Sequence, residues 1–247
     1  MNLAERAFFE LFPEKKLSKA MGIKYSRAFN AYNANARYTA LSMTFRLSYD
    51  WKKVSDEIKI GLIQHLLVKI YKEKKNTINM DLYENFIRKI GDYSEVTQAD
   101  PLLEQSFTRV NDKYFNGFLP KPNLRWGSQS FSKLGCYEYG SNTVTISSIF
   151  NPENSKGKAD DEKAKELLDY IMYHELLHKK HKFKSKNGKN YHHTRKFRQQ
   201  EKAFENPNIE KELKHFLAKK QVKRAFTFNA PSANARKRKK RSFWDFF

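Results

Sequence analysis

Between Leu41 and Ser48 apolar and polar residues alternate, with Leu41, Met43, Phe45 and Leu47 set against Ser42, Thr44, Arg46 and Ser48. A period of two predicts a strand with one buried face. The period then changes. Ile58, Leu62, Ile63, Leu66, Leu67, Ile70 and Tyr71 recur at three- and four-residue steps, which predicts a helix capped by Ser55 or Asp50. A second helical stripe, Leu167, Leu168, Ile171, Met172, Leu176 and Leu177, lies in a stretch free of Gly and Pro from residue 159 to residue 187.

The remaining pattern is read in the same way. Residues 2–11 form a short amphipathic helix closed by Phe12-Pro13, and residues 81–90 form another short helix. Asp100-Pro101 supplies a cap and a first-turn proline for a helix to about residue 116, which Gly117, Pro120 and Pro122 close. Short strands follow at 124–126, 135–139 and 143–147, the last two joined by a turn at Gly140-Ser141-Asn142. Residues 151–161 read as a polar linker, and helices at 197–204 and 209–217 are split by Asn206-Pro207. Residues 25–35, from Tyr25 through Arg27, Phe29 and Tyr32 to Asn35, show no clear period. Aromatic residues interleaved with Arg and Asn either pack a core edge or stack on the bases of a nucleic-acid strand.

The polar stretch 91–99 divides the chain. Residues 1–98 are expected to form an accessory α/β subdomain, residues 99–218 an α+β domain of helices on a small, mostly antiparallel sheet, and residues 219–247 a disordered basic tail.

Charge changes this picture. The 48 Lys and Arg exceed the 27 acids, for a net charge of +21, which favours a polyanionic partner, nucleic acid before membrane. The single Cys136 excludes an internal disulfide and is read as a small core residue. No apolar run is long enough for a membrane span and none has signal-peptide form. A cytoplasmic, nucleoid-associated location is therefore expected.

Chemistry concentrates in Tyr173-His174-Glu175-Leu176-Leu177-His178. On a helix His174 and His178 share a face and can both turn a ring nitrogen to one metal ion, while Glu175 stands where it reaches a metal-bound water as general base. A catalytic zinc needs a third protein ligand and an open fourth position. His193, fifteen residues past His178, is the favoured third ligand. His192, His181 and the carboxylate of Glu201 are the alternatives, and Tyr191 and Tyr173 are candidates to stabilise an oxyanion. His65, within the first long helix, is read as structural or surface.

The HELLH run, a loop, and then His193-Thr194-Arg195-Lys196-Phe197 resemble the SprT/Spartan family of zinc metalloproteases. The lead-in is similar too: Phe107, Asn111, Tyr114, Phe115 and Gly117, then Leu124, Trp126 and Gly127, then Leu134-Gly135, and Thr143 to Ser147. The likeness covers about residues 100–206. Thr194 stands where the family usually has a small residue. The resemblance implies a zincin-like fold, one catalytic Zn2+ on His174, His178 and His193, Glu175 as general base, and cleavage of proteins bound or crosslinked to DNA. Two rival readings stand beside it: a DNA-binding adaptor with a closed structural zinc site, and a metal hydrolase acting on a non-protein substrate.

The tail carries Arg236, Lys237, Arg238, Lys239, Lys240 and Arg241, a candidate DNA-binding cluster, and ends in Phe243-Trp244-Asp245-Phe246-Phe247. Phe243, Phe246 and Phe247 have the spacing of a PCNA-interacting peptide, which implies a sliding clamp as partner, although Lys240 stands where such peptides usually carry Gln. A polybasic-aromatic membrane anchor and an end folded back on the protein are the alternatives.

Overall fold

The computed structural model describes residues 1–152, 158–186 and 189–227. They form an α+β protein of two compact units. The first comprises Met1–Glu95, Tyr139–Asn142 and Lys182–Thr194; the second comprises Val96–Glu138, Thr143–His181 and the chain from Arg195 onward.

The first unit opens with α1 (Leu3–Leu11), whose Asn2 side chain accepts from the N–H groups of Ala4 and Glu5 while Glu5 reaches back to Asn2 N–H. Three strands follow, β1 (Ala20–Ser26), β2 (Ala34–Tyr38) and β3 (Ser42–Ser48). β3 lies in the middle, parallel to β1 and antiparallel to β2. Its alternation buries Met43, Phe45 and Leu47 and leaves Ser42, Thr44 and Arg46 on the other face. Then come α2 (Asp56–Tyr71), started at Ser55, and α3 (Ile78–Ile90), capped by Thr77. Trp51 sits fully buried against Tyr32, Tyr83 and Phe86.

In the second unit Asp100 accepts from Leu102 and Leu103 N–H to start α4 (Pro101–Phe115). The strands β4 (Asn123–Gly127), β5 (Gly135–Glu138) and β6 (Thr143–Ser147) lead to α5 (Lys158–His181). β7 (Lys184–Lys186) and β8 (Lys189–Tyr191) pair as an antiparallel hairpin within the first unit. α6 (Arg195–Glu201) and α7 (Ile209–Thr227) complete the second.

One plan serves both units. In each, a capped helix precedes three strands; the third strand lies between the other two, parallel to the first and antiparallel to the second. A buried serine, Ser48 or Ser147, ends the third strand and opens a single 3-10 turn, and a long helix follows.

Several elements differ from the expectation drawn from sequence. The sheet of residues 99–218 is mixed rather than mostly antiparallel, because the chain lays β5 at one edge and returns β6 between β5 and β4. The stretch 25–35, read as having no clear period, overlaps two strands, residues 20–26 and 34–38, whose small residues Gly22, Ala34 and Ala36 hide the alternation. The metal-motif helix stops at His181, where Lys182 takes a left-handed conformation (φ 53°), in line with a loop expected over residues 182–190, but within that loop β7 and β8 pair as a hairpin. α7 continues to Thr227, past residue 219 where the tail was expected to begin. The basic cluster of residues 236–241 and Phe243, Phe246 and Phe247 lie outside the described residues.

Candidate metal centre

The centre is built on α5. Every residue from Tyr170 to Lys179 is buried, so the helix is enclosed around its whole circumference along that stretch. Most of those positions are apolar or aromatic and account for the burial. His174, Glu175 and His178 do not, since polar groups are costly to desolvate unless hydrogen-bonded or bound to an ion.

His174 is held from behind. Its Nδ1 lies 2.6 Å from Oε1 of Glu201, a residue 3 % exposed on α6. With Nδ1–H donated to the carboxylate, Nε2 carries the lone pair. That Nε2 is 3.1 Å from Nε2 of His178. Two nitrogens bound to one tetrahedral zinc at its usual bond length stand about 3.3 Å apart, so the pair fits two corners of such a site. One ligand atom from each of His174, His178 and His193 lies within 4.8 Å of the others, and the three can hold a metal ion.

Phe197 fixes the two imidazoles of α5. Fully buried, it packs edge-on to His174 at 5.1 Å and tilted against His178 at 4.7 Å between ring centres.

Glu175 is buried beside the pair. Burial pushes its carboxyl up to about 8, against the opposing pull of a hydrogen bond from Tyr137 N–H and the charge of Lys133. It rests on the edge strand β5, where Gly135 leaves the space it needs. A Cβ at position 135 would come within 2.3 Å of Oε1 and 2.9 Å of Cδ of Glu175.

The other candidates have different partners. His192 Nδ1 is 3.2 Å from the Tyr139 hydroxyl, and burial lowers its pKa. His181 Nε2 is 2.7 Å from Gln200 Oε1. Neither belongs to the group of three ligand atoms. Glu201, weighed as a ligand, is the acceptor behind His174, and burial with the charge of Glu210 pushes it up to about 8. Tyr173 donates its hydroxyl to Gln200 O at 2.5 Å and stacks in an aromatic cluster with Tyr114 and Phe204, a core role. Tyr191 is 51 % exposed. Cys136 is half-buried, with burial raising its thiol pKa.

Sequence reasoning placed Gly135 only within the family likeness and Glu201 only as an alternative ligand, and found neither the contact of the first with Glu175 nor the orienting role of the second. The only available signal for the second was an acidic residue four past Phe197, on the same helix face. Comparison with protein-family models, curated proteins and solved structures returns no match for this chain.

Proposed function

We propose that the chain is a zinc-dependent endopeptidase with a zincin-like catalytic unit, acting on proteins bound or crosslinked to DNA. One observation supports the chemistry above all others: two buried histidines face each other through Nε2 at 3.1 Å, with a buried carboxylate one residue along the same helix.

A zinc ion held by His174, His178 and His193 supplies Lewis acidity, lowering the pKa of a bound water and polarising a peptide carbonyl. The chain's own groups do the rest. Glu175 accepts the proton of the attacking water on its carboxylate and returns it to the departing amine. Tyr137 N–H holds that carboxylate and Gly135 gives it room. Glu201 keeps His174 in the tautomer whose Nε2 is a ligand. Three histidine ligands would leave a fourth position for the water that hydrolysis requires, and this favours the catalytic reading over a closed structural site.

The substrate class rests on the resemblance to SprT/Spartan proteases and on the charge of +21. In this reading DNA gathers the protease and its substrate on one polyanion, so cleavage needs little sequence preference. The aromatic end at Phe243, Phe246 and Phe247 would add a sliding clamp as a second recruiting partner.

The test is cleavage of a basic DNA-binding protein by wild type and Glu175→Gln, both zinc-loaded, with and without single-stranded DNA. Fragments that require Glu175 and increase with DNA are expected. Equal fragmentation by both proteins rules out the mechanism, and fragments indifferent to DNA rule out the substrate class.

A further inference from the structure

The sheet of the first unit has one face in the core and one open. β3 turns Met43, Phe45 and Leu47 inward, and the pairing places Ile23 and Ala36 beside Phe45 on that buried side. On the opposite side Lys24 and Asn35 flank Arg46, and Arg37 flanks Thr44. Each of the three strands therefore contributes one cation to the same face. Between them the residues are small, and a Cβ added at Gly22 would meet nothing within 4 Å.

Aromatic rings stand at the end of the sheet where the parallel strands β1 and β3 both finish. The Arg46 guanidinium lies 5.0 Å from the ring centre of Phe29. Beyond Ser48, the ring of Tyr49, itself 42 % exposed, is covered by Arg27 at 4.7 Å and Lys52 at 4.4 Å. From Lys15 to Tyr49 the chain carries seven Lys or Arg and no Asp or Glu. Among the described residues none of Lys24, Arg27, Arg37, Arg46 and Lys52 is in an ion pair with a carboxylate. The matching face of the second unit is different: there Arg125 is paired with Glu138 at 3.3 Å.

We infer that this open face binds single-stranded nucleic acid, with phosphates on Lys24, Arg37 and Arg46 and bases stacked at Phe29 and Tyr49. A sheet face with small residues admits unstacked bases, aromatic rings and guanidinium planes stack on them without regard to sequence, and cations outside carboxylate ion pairs hold the phosphates. A duplex keeps its bases stacked on one another and offers these rings no exposed base face. The site needs neither zinc nor Glu175, so it stands apart from the reaction proposed above.

The experiment is fluorescence anisotropy of labelled single-stranded DNA and RNA oligonucleotides with the full-length chain. The basic residues 236–241 are changed to Gln in the background, so that the tail does not mask the face. Phe29→Ala, at a half-buried position outside the core, should weaken binding about tenfold at fixed salt. Arg37→Gln with Arg46→Gln should flatten the slope of log affinity against log salt by about 1.4. Circular dichroism checks that both variants fold. Glu175→Gln should bind as the parent does, which separates this site from failure of the protease reading. Unchanged oligonucleotide affinity in Phe29→Ala and in the double arginine variant overturns the assignment. So does binding of heparin, a polyanion without bases, with the same dependence on Phe29. Capture by anionic vesicles in place of oligonucleotides overturns it as well.

Discussion

Gly135 and Glu175 occupy touching positions: a Cβ added to the first would lie 2.3 Å from Oε1 of the second, so any side chain there would run into the carboxylate. An edge strand and the helix that carries the histidines thus leave room for no more than a hydrogen atom beside the carboxylate proposed as the general base. Gly135→Ala should displace the carboxylate and lower kcat by about a hundredfold, since a misplacement near 1 Å costs that much. Zinc content should stay at the parental level, because the ligands are untouched. Steady-state kinetics beside metal analysis decides this, and an alanine variant with parental kcat would show that Glu175 does not need its present place.

Glu201 offers a different kind of control. It touches His174 through Nδ1, on the far side of the ring from Nε2. Glu201→Ala should weaken zinc binding by about 10- to 100-fold as the imidazole loses its orientation. Glu201→Gln keeps an acceptor oxygen and should recover much of that loss. Competition against a chromogenic chelator measures both, and parental affinity in the alanine variant would remove Glu201 from the site.

Metal binding should also be visible as stability. An ion held by three side chains that only the fold brings together would bind the folded chain alone, so thermal midpoints should rise with free zinc, by about 2.7 kcal/mol of stabilisation at a hundred times the dissociation constant. His178→Ala should abolish that dependence. A midpoint that ignores both zinc and chelator would mean that the three histidines do not form a metal site.

A pH dependence follows from His65, buried on α2 with its ring 5.4 Å from that of Tyr83. Burial first, and the charge of Lys69 second, hold its pKa down to about 4 from an ordinary 6.5. The unfolded chain takes up this proton near pH 6.5, whereas the folded chain refuses it until about pH 4. Stability present above that window is lost progressively as pH falls through it, by on the order of 3 kcal/mol for this one group. His65→Leu has no such proton to take up, so its melting temperature should fall less than the parent's across the window. Parallel curves for the two proteins would show that the imidazole is not desolvated.

Legibility in the sequence followed burial. α2 and β3 could be read because their faces are apolar at the right spacing, and α4 because Asp100-Pro101 announces its start. β1 and β2 escaped notice because they flank β3, with few large inward residues and an outer face of Gly, Asn, Lys and Arg. The end of α5 was legible as the polar, Gly-containing run from Lys182, whereas the pairing of β7 with β8 inside that run was not. In the site, His174, Glu175 and His178 were visible as neighbours on one helix. The role of Glu201 was not, because an acceptor twenty-seven residues from its histidine is defined only by the fold. Gly135 stood in the family likeness with no role attached, because the side chain that needs its space lies forty residues on, in α5.

The plan repeated in the two units supplies a reference within the same molecule. In α2 the run His65-Leu66-Leu67-Val68-Lys69 occupies the long helix that in α5 carries His174-Glu175-Leu176-Leu177-His178. The first helix carries one imidazole with no acidic residue beside it and no second histidine, whereas the second carries all three groups. A spectroscopic probe of histidine therefore comes with its own blank: on adding zinc the resonances of His174 and His178 should move while those of His65 stay still, under one buffer, one temperature and one preparation.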